Sequence, residues 1–164
     1  MEDYVVYRYN KSILNTDEWL YQDLNVEIGK NMSRDAELMK KKILFTVASK
    51  GRHRICYVKN SKGELVHYSF IIPYCAKFSF MNKGDFCIGP CWTKEDYRGK
   101  GIYGSVLNYI AKMILKDNET VDLYVLIREA NASSTRGIQK ANFVPVGKST
   151  KTKYLKHYKK VEWF

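Results

Sequence analysis

Gly99-Lys100-Gly101-Ile102-Tyr103-Gly104 stands directly before an apolar run with helical spacing, inside the stretch YRGKGIYGSVL from Tyr97 to Leu107. A helix N-terminus preceded by glycines is an anion site. Its first backbone N–H groups lack intrahelical partners, the helix dipole favours negative charge, and glycine lets a phosphate approach the backbone. Arg98 and Lys100 add formal positive charge. The chemistry implied is the holding of a phosphate or pyrophosphate; the structural alternative is a plain turn with solvated bases. The glycines also fit G-x-G-x-x-G, the dinucleotide fingerprint, but the context does not. Lys94-Glu95-Asp96-Tyr97 intervene between strand and loop, Asp122 opens the following strand instead of closing it, and Glu129 closes it too far along. A nicotinamide or flavin site is rejected.

Two other residue types bear on chemistry. His67, in Val66-His67-Tyr68-Ser69, has an unperturbed pKa near 6.5 suited to proton removal at neutral pH, although a lone strand histidine is more often structural or exposed. A water chain relayed by backbone carbonyls or Glu64 is the rival base. The cysteines, at 56, 75, 87 and 91, contain no C-x-x-C pair, and Cys87 and Cys91 would share a face of a regular strand. No His, Asn or Asp lies near them in sequence to activate a covalent mechanism. With His53, His67 and His157 scattered, the expectation is reduced buried thiols and no metal.

The elements that must position these residues are legible in outline. Val5–Tyr9 reads as a first strand. Asn15 with Glu18 makes a capping-box-like start to a helix carrying Trp19, Leu20, Leu24 and Ile28. A second helix begins near Ser33 and runs through Leu38; Ile43–Val47 fits helix or strand, and Gly51 suits a helix stop. Arg54–Lys59 and Leu65–Pro73 form a hairpin around Asn60-Ser61-Lys62-Gly63. Asp85–Thr93 is a strand interrupted by Gly89-Pro90, which marks an edge, a bulge or a strand that splays from its neighbour. Gly104–Leu115 is a helix with Val106, Leu107, Ile110, Ile114 and Leu115 as its apolar stripe. Val121–Ile127 is a buried strand, Asn131–Ala141 a short helix with an Asn cap, Phe143–Val146 the start of another strand, and Tyr154–Trp163 a last one. Hairpins first and strand–helix units second describe a mixed α/β sheet.

The totals fit one domain over residues 1–164, with 45% hydrophobic and 27% charged residues. No signal-peptide-like core opens the chain, and no apolar run approaches the roughly 20 residues that span a bilayer, so a cytoplasmic chain is expected. The net charge of +11 is densest in Lys148, Lys151, Lys153, Lys156, Lys159 and Lys160. Such a run is a solvated face or an attractor for anionic ligands, phosphate or nucleic acid.

Arg98 and Gly101 match the spacing of Gln/Arg-x-x-Gly-x-Gly/Ala at a helix start, with Tyr103 at the last position and Gly104 one place later. About 30 residues on, Asn131-Ala132-Ser133-Ser134 through Lys140-Ala141-Asn142-Phe143 looks like Asn-x-x-Ser/Ala ending in Lys-x-Gly-Phe, with Asn142 for glycine. In order, with an apolar strand between, these blocks resemble the GNAT superfamily of acyl-CoA-dependent N-acyltransferases. That resemblance implies a single GNAT-like domain, its mostly antiparallel sheet flanked by helices, with splayed fourth and fifth strands between which the pantetheine arm lies. It implies acetyl-CoA as acyl donor, a primary amine as acceptor, and direct attack in a ternary complex.

By the same resemblance, backbone of Cys91, Trp92 and Thr93 would pair with pantetheine, the Cys91 N–H facing the thioester oxygen. Arg98, Gly99, Lys100, Gly101, Ile102, Tyr103 and Gly104 would hold the pyrophosphate. Asn131 and Ser134 would reach the cofactor arm, and Lys140 the adenosine phosphate. Many members place a thiolate-protonating Tyr five residues before the Phe; here that position is Ile138. The thiolate would leave unaided or take a proton from Ser134, Tyr103 or water, with His67 as candidate base. Residues 88–103 look similar to small GNAT proteins of bacterial surface-polysaccharide pathways, so an amino sugar, free or nucleotide-linked, is the expected acceptor. A protein amine or another small amine is the runner-up, a polyamine being disfavoured by the +11 charge. A non-catalytic acyl-CoA-binding module and, less favoured, a nucleic-acid binder remain as other classes. Oligomeric state is open, a homodimer included.

Overall fold

The computed structural model describes residues 2–13, 19–30, 36–152, 158 and 161–164. In chain order the elements are β1 (Glu2–Tyr9), β2 (Leu24–Gly29), α1 (Ala36–Ala48), β3 (Arg54–Asn60), β4 (Leu65–Pro73), β5 (Phe86–Thr93), α2 (Ile102–Asp117), β6 (Leu123–Arg128), α3 (Ala132–Lys140), β7 (Phe143–Lys151) and β8 (Glu162–Trp163). They build one eight-stranded sheet in the order β2-β3-β4-β5-β6-β1-β7-β8. The β5–β6 pair is parallel and the others are antiparallel. A mixed α/β fold with a mostly antiparallel sheet is therefore what the chain adopts, and the expected splayed pair is β5 and β6.

Each face of the sheet carries its own core. On one, α2 and α3 bury Val106, Leu107, Ile110 and Ile138 against Ile71, Ile88, Leu123 and Phe143. On the other, Phe45 of α1 joins Ile55, Phe70, Ile72, Phe78 and Tyr124. Fully buried side chains of this size contribute about 1.5–3 kcal/mol each through transfer from water, so α2 and α3 are held firmly where they meet the β5–β6 gap.

Two sequence expectations are corrected, and one alternative left open is decided. The segment after Trp19 is not helical: Leu24–Gly29 pairs antiparallel with β3, from Leu24↔Asn60 to Gly29↔Ile55. Leu24, Val26 and Ile28 turn inward while Asn25 and Glu27 stay exposed, an alternation that the coincident four-residue spacing of Leu20, Leu24 and Ile28 concealed. The capping-box residues Asn15–Glu18 lie outside the described residues, as does Ser33. Ile43–Val47 is helix, the last turns of α1, and the stop is at Gly51, whose φ is 73° and whose N–H donates to the Thr46 carbonyl at 2.8 Å. Cys87 and Cys91 do not share a face: Cys87 is buried among the α1-side residues and Cys91 packs on the α2 side.

The last correction has a local cause. Opposite Ser69, Phe70 and Ile71 of β4, β5 places Cys91, Pro90, Gly89 and Ile88, one residue too many. A bulge inserts one residue and so reverses the inward–outward alternation beyond it. Gly89 sits at φ 135°, a conformation that side chains strongly disfavour.

The place of β1 was not legible in sequence. It lies between β6 and β7, pairing Tyr4↔Arg128 through Arg8↔Tyr124 on one edge and Glu2↔Lys151 through Tyr9↔Phe143 on the other. Of the expected last strand, residues 154–157 and 159–160 lie outside the described residues; Glu162–Trp163 pairs with Lys148 and Gly147. Among the described residues, no helix is long and apolar enough to cross a membrane.

Candidate active site

Strands β5 and β6 pair only through Phe86↔Leu123 and Cys87↔Tyr124, then diverge. Above that point the bulge turns β5 away, and Pro90 has no N–H with which to continue a ladder. The gap opens into a cleft of about 1040 Å³. Its walls are Ile88–Thr93 of β5 and Val125–Arg128 of β6, closed by the glycine loop and by Asn131, Ser134 and Lys140 of the α3 region. The Lys94 N–H donates to the Val66 carbonyl at 2.8 Å. In an antiparallel pair, alternate residues turn their backbone groups to the same side. Trp92 therefore faces β4, whereas Cys91 and Thr93 present their N–H and C=O groups to the cleft.

The glycine loop follows a short turn, Glu95–Tyr97, and ends at Gly101, the residue before α2, with φ 81°. Among the described residues no side chain caps this helix, which leaves its first-turn N–H groups at the cleft for a ligand. Gly99 is at φ 74°, and a Cβ built there meets nothing within 4 Å: the backbone borders open space. Arg98 donates from Nε to the Thr93 carbonyl at 3.0 Å, which leaves its terminal N–H groups for an anion. Arg136 and Lys140 of α3 add positive charge to the same wall.

Gly104 serves packing as well. A Cβ there would lie 3.0 Å from the Gly137 carbonyl oxygen, and one on Gly137 would lie 3.0 Å from Cδ1 of Tyr103. The two glycines let α2 and α3 touch and seat the Tyr103 ring against α3.

The sequence-predicted residues fall into two groups. Cys91, Trp92, Thr93, Arg98, Gly99, Gly101, Ile102, Tyr103, Gly104, Asn131, Ser134 and Lys140 all line the cleft. Lys100 does not: its ammonium lies over the Tyr97 ring, 5.1 Å from the centroid, and its carbonyl accepts from the Tyr21 hydroxyl at 2.7 Å. Asn131 spends its side-chain oxygen as the α3 cap, accepting from the Ser134 N–H at 3.2 Å.

His67 is fully buried and does not line the cleft. Its Nδ1 lies 2.8 Å from the Thr93 hydroxyl and its Nε2 2.8 Å from the Ser69 hydroxyl. Burial pulls its pKa down to about 3, so the ring is neutral. Direct proton removal from a substrate amine by His67 is thus corrected: the ring is sealed beneath β5 with both nitrogens engaged. Glu64 also stays outside the cleft, accepting from Asn60 Nδ2 at 2.8 Å and pairing with Lys94 at 3.6 Å.

Burial pushes the Cys91 thiol up to about 11, outweighing the opposing influence of Ser69 and Tyr103. Burial also holds the Tyr103 phenol well above its ordinary value. Sequence reasoning missed Tyr21 as the clamp on the loop and Gly137 as the seat of Tyr103; neither carries a local signal, since both act across more than thirty residues. Among the described residues no cluster of three or more His, Cys, Asp and Glu is placed to hold a metal ion.

A splayed parallel strand pair above a glycine-led helix, within this sheet order, is the GNAT acetyltransferase fold. No family model and no curated protein sequence matches the chain; solved structures do. A GNAT-family acetyltransferase from Colwellia psychrerythraea superposes with a TM-score of 0.57 at 15% identity, over 88% of this chain and 53% of that one. A tandem GNAT protein from the clavulanic acid biosynthesis pathway gives 0.64 at 12% identity, over 88% and 50%. A ribosomal-protein-S5-alanine acetyltransferase from Vibrio fischeri gives 0.59 at 16% identity, over 84% and 87%. The chain spans about half the length of the first two. At these identities the likeness is one of fold.

Proposed function

We propose that this protein transfers an acetyl group from acetyl-CoA to the primary amine of an amino sugar, free or nucleotide-linked, by direct attack in a ternary complex. One observation carries the reading: β5 leaves β6 after two residue pairs, and the gap runs to an uncapped helix N-terminus flanked by Arg98 and Lys140. The open cradle at Gly99 fits a pyrophosphate, and the cleft-facing backbone of Cys91 with the Thr93 N–H fits an amide-bearing arm. The Cys91 N–H would donate to the developing oxyanion as a donor fixed in advance, a contribution of about 10²–10³ in rate. Holding amine and thioester together supplies the remaining orientation. For the acceptor, Trp92 is 37% exposed at the cleft and stacks on Tyr68 at 5.7 Å with planes 20° apart, a platform suited to a sugar ring or base. We place the reaction in the cytoplasm, where the free thiols of Cys56, Cys75, Cys87 and Cys91 stay reduced.

Isothermal titration with acetyl-CoA, beside NADH and a short oligonucleotide, tests the donor. Acetyl-CoA should bind, and Arg98→Glu should weaken it about 10- to 100-fold, the worth of a charged hydrogen bond. Heat from NADH or the oligonucleotide alone would refute the reading. A thiol-release screen with amino sugars, peptides and polyamines then assigns the acceptor; turnover confined to peptides would move it to protein amines.

A further inference from the structure

Helix α1 has two apolar faces and, among the described residues, only one of them is covered. Phe45 and Ser49 turn toward the sheet and are buried. At about 100° per residue, the positions two places either side of Phe45 point roughly 160° away from it, and those are Ile43 and Val47. Ile43 is 61% exposed, Leu44 54% and Val47 75%. Residues three and four apart are neighbours on a helix surface, so Ile43 and Leu44 both adjoin Val47, and exposed Lys40 continues the row toward the N-terminus. Single exposed apolar side chains are ordinary, whereas a joined row on one helix points to a partner.

The row is edged with positive charge. Lys40 and Lys50 are exposed and Lys42 partly so. Among the described residues no carboxylate pairs with these three. His53, just beyond the helix, lies in the same field: burial holds its pKa below the ordinary value, and the charges of Lys42 and Lys30 lower it further. The sequence of α1 itself sets three lysines against a single acid, Glu37.

We propose that this face of α1 docks on an anionic lipid bilayer, with Ile43, Leu44 and Val47 entering the headgroup layer and Lys40, Lys42 and Lys50 lying at the phosphates. Charge complementarity selects the occupant. Anionic leaflets carry a negative surface potential, and helices that lie in a bilayer surface combine shallow apolar insertion with flanking lysines. Three apolar side chains are far short of the roughly 20–30 residues that each partner brings to a stable protein interface. A second copy related by a two-fold axis would also set these lysines against their own counterparts. A bilayer requires neither that area nor a matching groove. The helix is tied to the cleft as well: Lys41 turns inward and donates to the Tyr68 hydroxyl at 3.0 Å, and Tyr68 stacks on Trp92. Docking therefore turns toward the bilayer the side of the sheet on which the acceptor platform stands.

Co-sedimentation with vesicles tests this without acetyl-CoA, so its outcome is separate from that of the acyl-transfer reading. The full chain should pellet with vesicles of equal parts phosphatidylglycerol and phosphatidylcholine, and stay in solution with phosphatidylcholine alone. Raising salt to about 1 M, where the Debye length falls to roughly 3 Å, should release it. Val47→Glu should weaken binding about tenfold or more, and Lys40→Glu about fivefold. Lys116→Glu makes the same change of charge on α2, across the sheet, and should alter binding by less than about twofold. All three positions are exposed, so the fold survives substitution, and unchanged circular dichroism checks it. A wild type that does not pellet with the anionic vesicles would overturn the proposal. Equal losses in Lys40→Glu and Lys116→Glu, or full binding by Val47→Glu, would do the same by assigning the attraction to net charge alone. Sedimentation velocity supplies the last check: a dimer that Val47→Glu dissociates would give the row to a second copy instead.

Discussion

Acid should unfold this protein through His67, and the size of the effect follows from where the ring sits. In the folded chain its pKa is about 3, because burial opposes the charged form; in an unfolded chain it is near 6.5. The folded value is the lower one, so the unfolded state binds the proton first. The stabilisation is present above the unfolded pKa and is lost as pH falls through the window from about 6.5 to 3. Between pH 7 and pH 4.5 the folded ring stays neutral while the unfolded one gains nearly a full proton, a loss of about 2.5 kcal/mol. Carboxylates titrate in part of the same range, so the ring is isolated by difference. Urea unfolding of wild type and His67→Gln, followed by circular dichroism at both pH values, gives the two slopes. Removing His67 lowers stability at pH 7 through the lost bonds to Thr93 and Ser69, but the variant should lose about 2.5 kcal/mol less on acidification. Parallel curves for the two proteins would refute the neutral, sealed histidine.

Two further outcomes are expected. Gly104→Val should cost about 1–3 kcal/mol in urea unfolding and weaken acetyl-CoA binding, because a Cβ there meets the Gly137 carbonyl at 3.0 Å; unchanged stability would show that α2 and α3 need not touch. Cys91 borders the cleft but is held near 11, so a disulfide reagent at pH 7 should label it far more slowly than a free thiol, and acetyl-CoA should slow it further. Rapid labelling of the native protein at Cys91 would contradict the burial described.

Local backbone features were more legible in the sequence than the architecture. The glycine loop, the Asn131 cap and the break at Gly89-Pro90 each act through backbone conformation within a few residues, and each was legible. The face reversal between Cys87 and Cys91 was not, because a bulge is defined against β4 as partner and not within β5. Leu20, Leu24 and Ile28 satisfy helical and alternating spacing alike, and only pairing with β3 decides between them. His67 was noticed for its intrinsic pKa, yet the environment that removes its basicity is assembled from Ser69, Thr93 and the core around them. Tyr103 looked like an irregularity in a motif; its meaning depends on Gly137, thirty-four positions away and in contact only through the packing of two helices.

The central position of β1 has a consequence for how the chain reaches this state. Residues 2–9 hydrogen-bond to β6 and β7, which lie more than a hundred positions later in the sequence. During synthesis at about 5–20 residues per second, β1 would wait roughly 6–25 s for its first partner to be made. Contacts of such separation also slow the search for the native topology. Until they form, β6 and β7 face each other across an empty strand position with unpaired backbone on both sides, open to capture by a foreign strand. A segment made long before its partners is thus the last piece seated beside the cleft wall, and it ties acquisition of a working site to synthesis through β7.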